Sequence, residues 1–237
     1  MFDVPERYLK EQPIDVKQFI RRDMRKSEKD RVRAGLQSVS LVWQIAGEEI
    51  PSFMDEDYNC SVIMGLDVQL QSLKGVAHFA ELIQHMVKAP CMIRFYDNAH
   101  EVFSFAHKRL SHTNSSQVVI VDKVLTPPLS IAFPEKTAVK LKQSLAFGAL
   151  LNKSDKLSLY LEATVKAFIV SHSKLYNGIE KLVDENSEVW YNRGEVLVLF
   201  EKLLKLQRLM TAARAEKLPG ERARLNGEIK RVLEELR

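Results

Sequence analysis

The sequence predicts an α+β fold: a mixed, mostly antiparallel sheet packed with helices, followed by a C-terminal helical layer and a helical hairpin. Three observations carry this. Cys60 to Gln71 alternates apolar and polar residues with period two, which gives a strand one buried face. Two further β-rich regions, Cys91 to Ala106 and Gln117 to Phe133, are punctuated by turn signals. After Pro134 the apolar residues recur every three or four positions, the spacing of one helix face.

Residues 1–27 read as an N-terminal arm, because Pro5 and Pro13 interrupt it and only Ile14, Val16, Phe19 and Ile20 offer anchors. Ser27 with Asp30 three residues on reads as a helix start. Val32, Leu36, Val39, Trp43 and Ala46 then predict one helix, stopped by Gly47 and Pro51. The 60–71 strand is expected to pair antiparallel or to lie at a sheet margin. Gly75 opens a helix with Val76, Phe79, Ile83, Met86 and Val87 on one face, ended before Pro90. Cys91 to Tyr96 and Glu101 to Ala106 form a hairpin about Asp97-Asn98, and His112 to Ser116 is a loop. Pro127-Pro128 separates the runs Gln117–Leu125 and Leu129–Phe133.

Glu135 to Leu151 is expected as one helix, with the next capped from Asn152 to Asp155. Leu157, Leu161, Val165, Phe168, His172, Leu175, Ile179 and Leu182 extend that second helix, and Asp184 to Arg193 breaks it. The last stretch runs from Val196 past Met210, pauses at Pro219-Gly220, and resumes as Leu225, Ile229, Val232 and Leu236. Those four form a short coiled-coil stripe that needs a partner, the antiparallel arm before Pro219 being one. The expected division is an arm, 1–27, an α+β body, 28–155, and a helical region, 156–237.

The 237 residues include 35 Lys and Arg against 31 Asp and Glu, 46% apolar residues and two cysteines. No apolar run approaches the ~20 residues of a membrane span, and Met1 to Arg7 lacks the pattern of a secretory signal. Cys60 and Cys91 read as reduced core thiols, so a cytoplasmic protein with no membrane contact is expected. Residues 17–33 hold eight basic groups and three acidic ones. Within them Arg21, Arg22, Arg25 and Lys26 are the candidate DNA-backbone contacts, with an ordinary solvated helix face as the competing reading.

Phosphate-cradling glycine loops, zinc-ligand spacings and a nucleophile elbow are missing from the sequence. No cofactor is expected. His78 and His85 lie seven residues apart on one helix, too far for a shared metal, and His100, His107 and His112 have no acid at ligand spacing. Asp67 sits on the polar face of the best strand, where a metal-dependent nuclease would want a carboxylate. A neighbouring acid-x-Lys is not found, and in Val121-Asp122-Lys123 the acid and the Lys alternate faces. Phe95, Tyr96, Phe103 and Phe105 are expected to face the core rather than to stack on bases. Polar side chains are not expected to converge on a metal or a scissile bond.

Met1-Phe2-Asp3-Val4-Pro5, the Ile14-to-Ile20 segment and the stretch ending near Trp43 resemble the start of a bacterial family, the domain of unknown function numbered forty-three ninety-one. Ala215-Glu216-Lys217, Arg222 and Leu225-Asn226-Gly227-Glu228-Ile229-Lys230 through Leu236 resemble its closing helix. No catalytic residue is established for that family, so the resemblance carries none over. It implies company: members look to be encoded beside helicases, DNA methyltransferases and restriction-like enzymes of anti-phage defence. The expectation is a non-catalytic adaptor of such a complex. It would meet a larger helicase, methyltransferase or nuclease subunit through Leu225, Ile229, Val232 and Leu236, and DNA through the basic residues. A degenerate metal-dependent nuclease using Asp67 and a stand-alone DNA-binding protein are the alternatives, and self-association through the C-terminal helices competes with the adaptor reading.

Overall fold

A computed structural model describes residues 1–114, 117–175, 178–184 and 187–236. It divides into two compact units, Met1–Ser171 and His172–Arg237. The first contains β1 (Leu9–Ile14), α1 (Lys26–Gly35), β2 (Leu36–Ile45), β3 (Phe53–Met54), β4 (Asn59–Cys60), β5 (Ile63–Leu70), α2 (Val76–Met86) and β6 (Cys91–Tyr96). It continues with β7 (His100–Leu110), β8 (Val118–Leu125), β9 (Leu129–Ser130), α3 (Lys136–Leu145) and α4 (Lys156–Ser171). The fold is α+β, as expected: a seven-stranded sheet runs β1-β2-β5-β6-β7-β8, with β9 also on β7, and β3 and β4 pair separately.

Among the described residues only the β5–β6 pair is parallel. A parallel pair needs a crossover, and α2 supplies it. Phe79 and Ile83 of α2 pack with Val39, Leu66, Val68, Ile93, Phe95 and Val102 on one sheet face. The other face is set by a bulge in β2: Leu41 pairs with Leu66, but Trp43 pairs with Gly65. Gly65 and Leu66 are consecutive and point to opposite faces, so Trp43 is turned away from Leu41. Asp67, two residues from Gly65, shares Trp43's face.

Several expectations need correction. The arm is not separate, because its Leu9–Ile14 is an edge strand on β2. The helix expected through Trp43 ends at Gly35, and a strand follows at once. Val39, Leu41, Trp43 and Ile45 are buried at every second position, and that period-two pattern prevails over the three- and four-residue coincidence. The helix start lies before Ser27: Glu28 accepts a hydrogen bond from the Arg25 backbone N–H at 3.0 Å. Of the two placements expected for the 60–71 strand, antiparallel pairing holds on one side: β5 pairs antiparallel with β2 and parallel with β6, so it lies inside the sheet rather than at its margin.

Past the sheet, α3 stops at Leu145, short of Leu151. The helix expected to run to Leu182 ends at Ser171, so the first unit closes there rather than after Asp155. Asp155 caps α4 as expected, its Oδ1 accepting from the Ser158 N–H at 2.8 Å. The expected 112–116 loop falls partly on residues 115 and 116, outside the described ones.

The second unit contains α5 (Lys181–Asp184), a 3-10 turn (Glu188–Tyr191), α6 (Arg193–Ala215) and α7 (Pro219–Glu235). Asn192 caps α6 by accepting from the Gly194 N–H at 2.9 Å. Pro219 stands in the first turn of α7, where its missing N–H costs nothing. The two long helices pack as the expected antiparallel hairpin, with Lys202 Nζ 3.1 Å from the Glu235 carbonyl oxygen. Among the described residues no helix is long and apolar enough to cross a membrane.

Candidate functional site

Four charged side chains meet on the Trp43 face of the sheet. Asp67 on β5 stands directly beside Arg94 on β6, and Arg94 in turn stands beside Phe103 on β7. Glu101, two residues before Phe103, therefore points to the same face. Arg94 Nη1 lies 3.0 Å from Asp67 Oδ2, and its Nε lies 2.7 Å from Glu101 Oε2. Lys142, brought in by α3, places Nζ 2.6 Å from Glu101 Oε1. The Glu101 side chain is only 1% exposed, so its charge depends on these two cations. The Arg94 guanidinium also stacks on Tyr96, 4.8 Å from the ring centroid.

Electrostatics follow the burial. Burial pushes the Asp67 carboxyl up, and the opposing pull of Arg94 does not cancel it. For Arg94 burial acts against the charge, but Asp67 and Glu101 outweigh it and the guanidinium is held still more firmly protonated. The cluster opens onto a cavity of about 380 Å³ lined by Phe2, Asp3, Arg94, Glu101, Lys142 and Gln143, among others. Phe2 and Asp3 have φ of 59° and 46°, a left-handed region that side chains rarely adopt. Two contacts hold them: Phe2 lies 5.1 Å from the Phe103 ring, and its carbonyl accepts from the Phe147 N–H at 2.8 Å.

This convergence of charged side chains was not read from the sequence. Two carboxylates could ligate a divalent cation only if both were available. Here Arg94 bridges them, so a guanidinium stands where such an ion would have to sit. Among the described residues no group of three or more His, Cys, Asp or Glu side chains is placed to hold a metal. The formal charges of Asp67, Glu101, Arg94 and Lys142 cancel, and the group acts as a neutral clamp between three strands and α3.

The other sequence candidates fall elsewhere. Arg21, Arg22, Arg25 and Lys26 are all exposed, the first three in the segment leading into α1 and Lys26 at its first position. Arg21 is engaged by Asp23, with Nε 2.9 Å from Oδ1, whereas no ion pair is recorded for Arg22, Arg25 or Lys26 among the described residues. Of the C-terminal stripe, Val232 is buried and Leu225, Ile229 and Leu236 are half-buried, in a helix that packs on α6. The hairpin thus uses much of that stripe itself. Phe95, Phe103 and Phe105 are buried in the core, and Tyr96 is half-buried beneath Arg94. Cys60 and Cys91 are buried free thiols. Burial pushes Cys60 up to about 12 and also raises Cys91, so neither is a ready nucleophile.

Fold and cluster together define an α+β protein with a charge-balanced ion network on one face of its sheet. The chain belongs to the family described as Domain of unknown function (DUF4391), which matches residues 2–236. Searches of curated proteins and of solved structures found no match.

Proposed function

We propose that the protein is a non-catalytic adaptor of a bacterial DNA-modification or anti-phage defence complex, acting in the cytoplasm. Its helical hairpin would hold a larger helicase, methyltransferase or nuclease subunit, and Arg22, Arg25 and Lys26 would contact DNA phosphates. One observation carries the DNA half: these three exposed cations lie within five residues at the start of α1, and among the described residues none of them forms an ion pair. Unpaired cations keep their full charge for phosphate, whereas Arg21 shares its charge with Asp23. The hairpin half is supported by its tip, where Leu218 is 64% exposed, and by Leu225 on α7, which the hairpin leaves half-buried.

Affinity for a DNA duplex measured against salt tests the first half. The logarithm of the binding constant should fall linearly with the logarithm of salt concentration. The triple variant Arg22→Ala, Arg25→Ala, Lys26→Ala should lose about 0.9 of slope per contact removed. A flat salt response in the unaltered protein overturns the DNA contact. Co-expression with helicases, DNA methyltransferases and restriction-like nucleases from the same genome tests the second half: one should co-purify, and Leu218→Glu with Leu225→Glu should release it. Failure of every such enzyme to co-purify overturns the adaptor reading.

A further inference from the structure

The first unit has a second surface with the makings of a binding site, built from other residues than the basic turn. β8 is the last strand of the sheet and pairs only with β7, so its outer edge carries backbone groups with no neighbouring strand. The sequence of this edge, Val118 to Leu125, is rich in β-branched residues, and Val119 and Val121 are exposed. Alongside it, between β8 and α2, lies a cavity of about 200 Å³ walled by Ala77, Ala80, Gln84, Ile120, Val124 and Leu125. Its polar floor asks for nothing. Gln84 Nε2 lies 3.2 Å from the Cys91 carbonyl oxygen and 3.3 Å from that of Ser104, while Gln84 Oε1 accepts from Cys91 Sγ at 3.1 Å. A site whose polar atoms are already satisfied rewards an apolar side chain.

At the rim Glu81 on α2 and Lys123 on β8 form an ion pair at 3.3 Å, both side chains more than half exposed. A pair so exposed contributes little to stability and exchanges readily for other partners. We propose that this edge and cavity bind an extended segment of a partner protein that adds to β8 as a further strand. The segment would insert one aliphatic side chain between α2 and β8, with an acidic residue facing Lys123 and a basic one facing Glu81. Backbone pairing would supply affinity, and the cavity with its two rim charges would supply selectivity. The bulge at Val121, which has no register partner on β7, shortens the regular edge, so the segment would be a short one.

The test uses the full chain and a displayed library of random decapeptides. Enriched sequences should share one aliphatic position flanked by opposite charges, and a synthetic peptide of that sequence should bind in fluorescence anisotropy. N-methylation at alternate peptide amides should abolish binding, and at the intervening amides should not, which is the signature of an added strand. Ala77→Leu, which narrows the cavity from an exposed helical position and leaves the fold intact by circular dichroism, should weaken binding at least tenfold. Lys123→Glu should shift the preferred flanking charge from acidic to basic. Failure to enrich any sequence, or binding indifferent to Ala77→Leu and to every N-methylation, overturns the proposal. So does a dimer in sedimentation that Val119→Lys dissociates, because the edge would then belong to a second copy. Hairpin and basic-turn variants should leave peptide binding unchanged, which separates this site from the adaptor reading.

Discussion

Arg94 and Asp67 occupy directly paired positions on the sheet's one parallel strand pair, 3.0 Å apart between Nη1 and Oδ2, and the same guanidinium reaches the buried Glu101. Removing Arg94 would leave one carboxylate without its cation and the other with Lys142 alone. Arg94→Ala should therefore destabilise the first unit by about 3 kcal/mol at pH 7, the lower end for a broken buried pair because the arginine is partly exposed. Arg94→Lys should recover only part of this, since a point charge cannot reach both acids as a fork does. Asp67 already has a raised pKa, and losing Arg94 raises it further. Its protonated form is the one the fold then favours, so the deficit should shrink as pH falls through the carboxylate range. Urea unfolding at pH 7 and near pH 4 checks both points, and a loss below about 1 kcal/mol at pH 7 would show that the clamp is not structural.

His107 gives a pH dependence of opposite sense. Its Nε2 lies 2.9 Å from the Tyr58 hydroxyl, the two rings stack at 5.8 Å, and burial holds its pKa down to about 4. An unfolded histidine titrates near 6.5. The neutral ring therefore contributes stability that is fully present above about pH 6.5 and is lost as pH falls toward 4. His107→Gln should flatten that limb of the stability curve between pH 6.5 and 4. Thermal melts across the interval measure it, and an unchanged slope would assign the acid limb to other groups.

The sheet was partly legible because burial on one face imposes period two, as in β5. It was misread in β2 because Val32, Leu36, Val39 and Trp43 fall at helical spacing by coincidence, while the bulge turns Trp43 to the face opposite Leu41. The charged cluster was not legible at all. Asp67 and Arg94 are brought together by a parallel register that only the α2 crossover fixes, and no local pattern encodes it. Nothing in the sequence pattern marked Lys156, Glu162 and Lys166 of α4 as buried, yet all three are, because their partners are loop backbone groups and one another.

Gly65 is required by its neighbour rather than by its own backbone. A Cβ at this position would stand 2.1 Å from Trp43 Cε2, and Trp43 is among the largest fully buried side chains. The indole cannot retreat without disturbing the bulge that aims it. Gly65→Ala should cost about 3 kcal/mol, the upper end for overpacking a rigid core. Adding Trp43→Leu should restore much of the loss, since the smaller side chain frees that space. A chemical-denaturation cycle over the two sites gives the coupling directly, and simple additivity would mean that the contact is not the cause.

Lys156, at the start of α4, is 1% exposed and ties the loop between β2 and β3 to the helix. Its Nζ donates to the Gly47 carbonyl at 3.0 Å, the Ile50 carbonyl at 2.7 Å and Ser52 Oγ at 3.2 Å. The stem fills core space while the ammonium satisfies backbone oxygens of the loop, that of the buried Ile50 among them, so two effects can be separated by two variants. Lys156→Met keeps the stem and leaves the carbonyls unpaired, which should cost about 2 kcal/mol. Lys156→Ala adds a cavity and should cost about 2 kcal/mol more. Hydrogen exchange locates the effect: because the Lys156 N–H itself bonds the Pro51 carbonyl at 2.9 Å, protection at the start of α4 should fall in both variants while α2 amides change only with global stability. Equal losses in Met and Ala would assign the whole effect to the hydrogen bonds, and no loss in Met would assign it to packing.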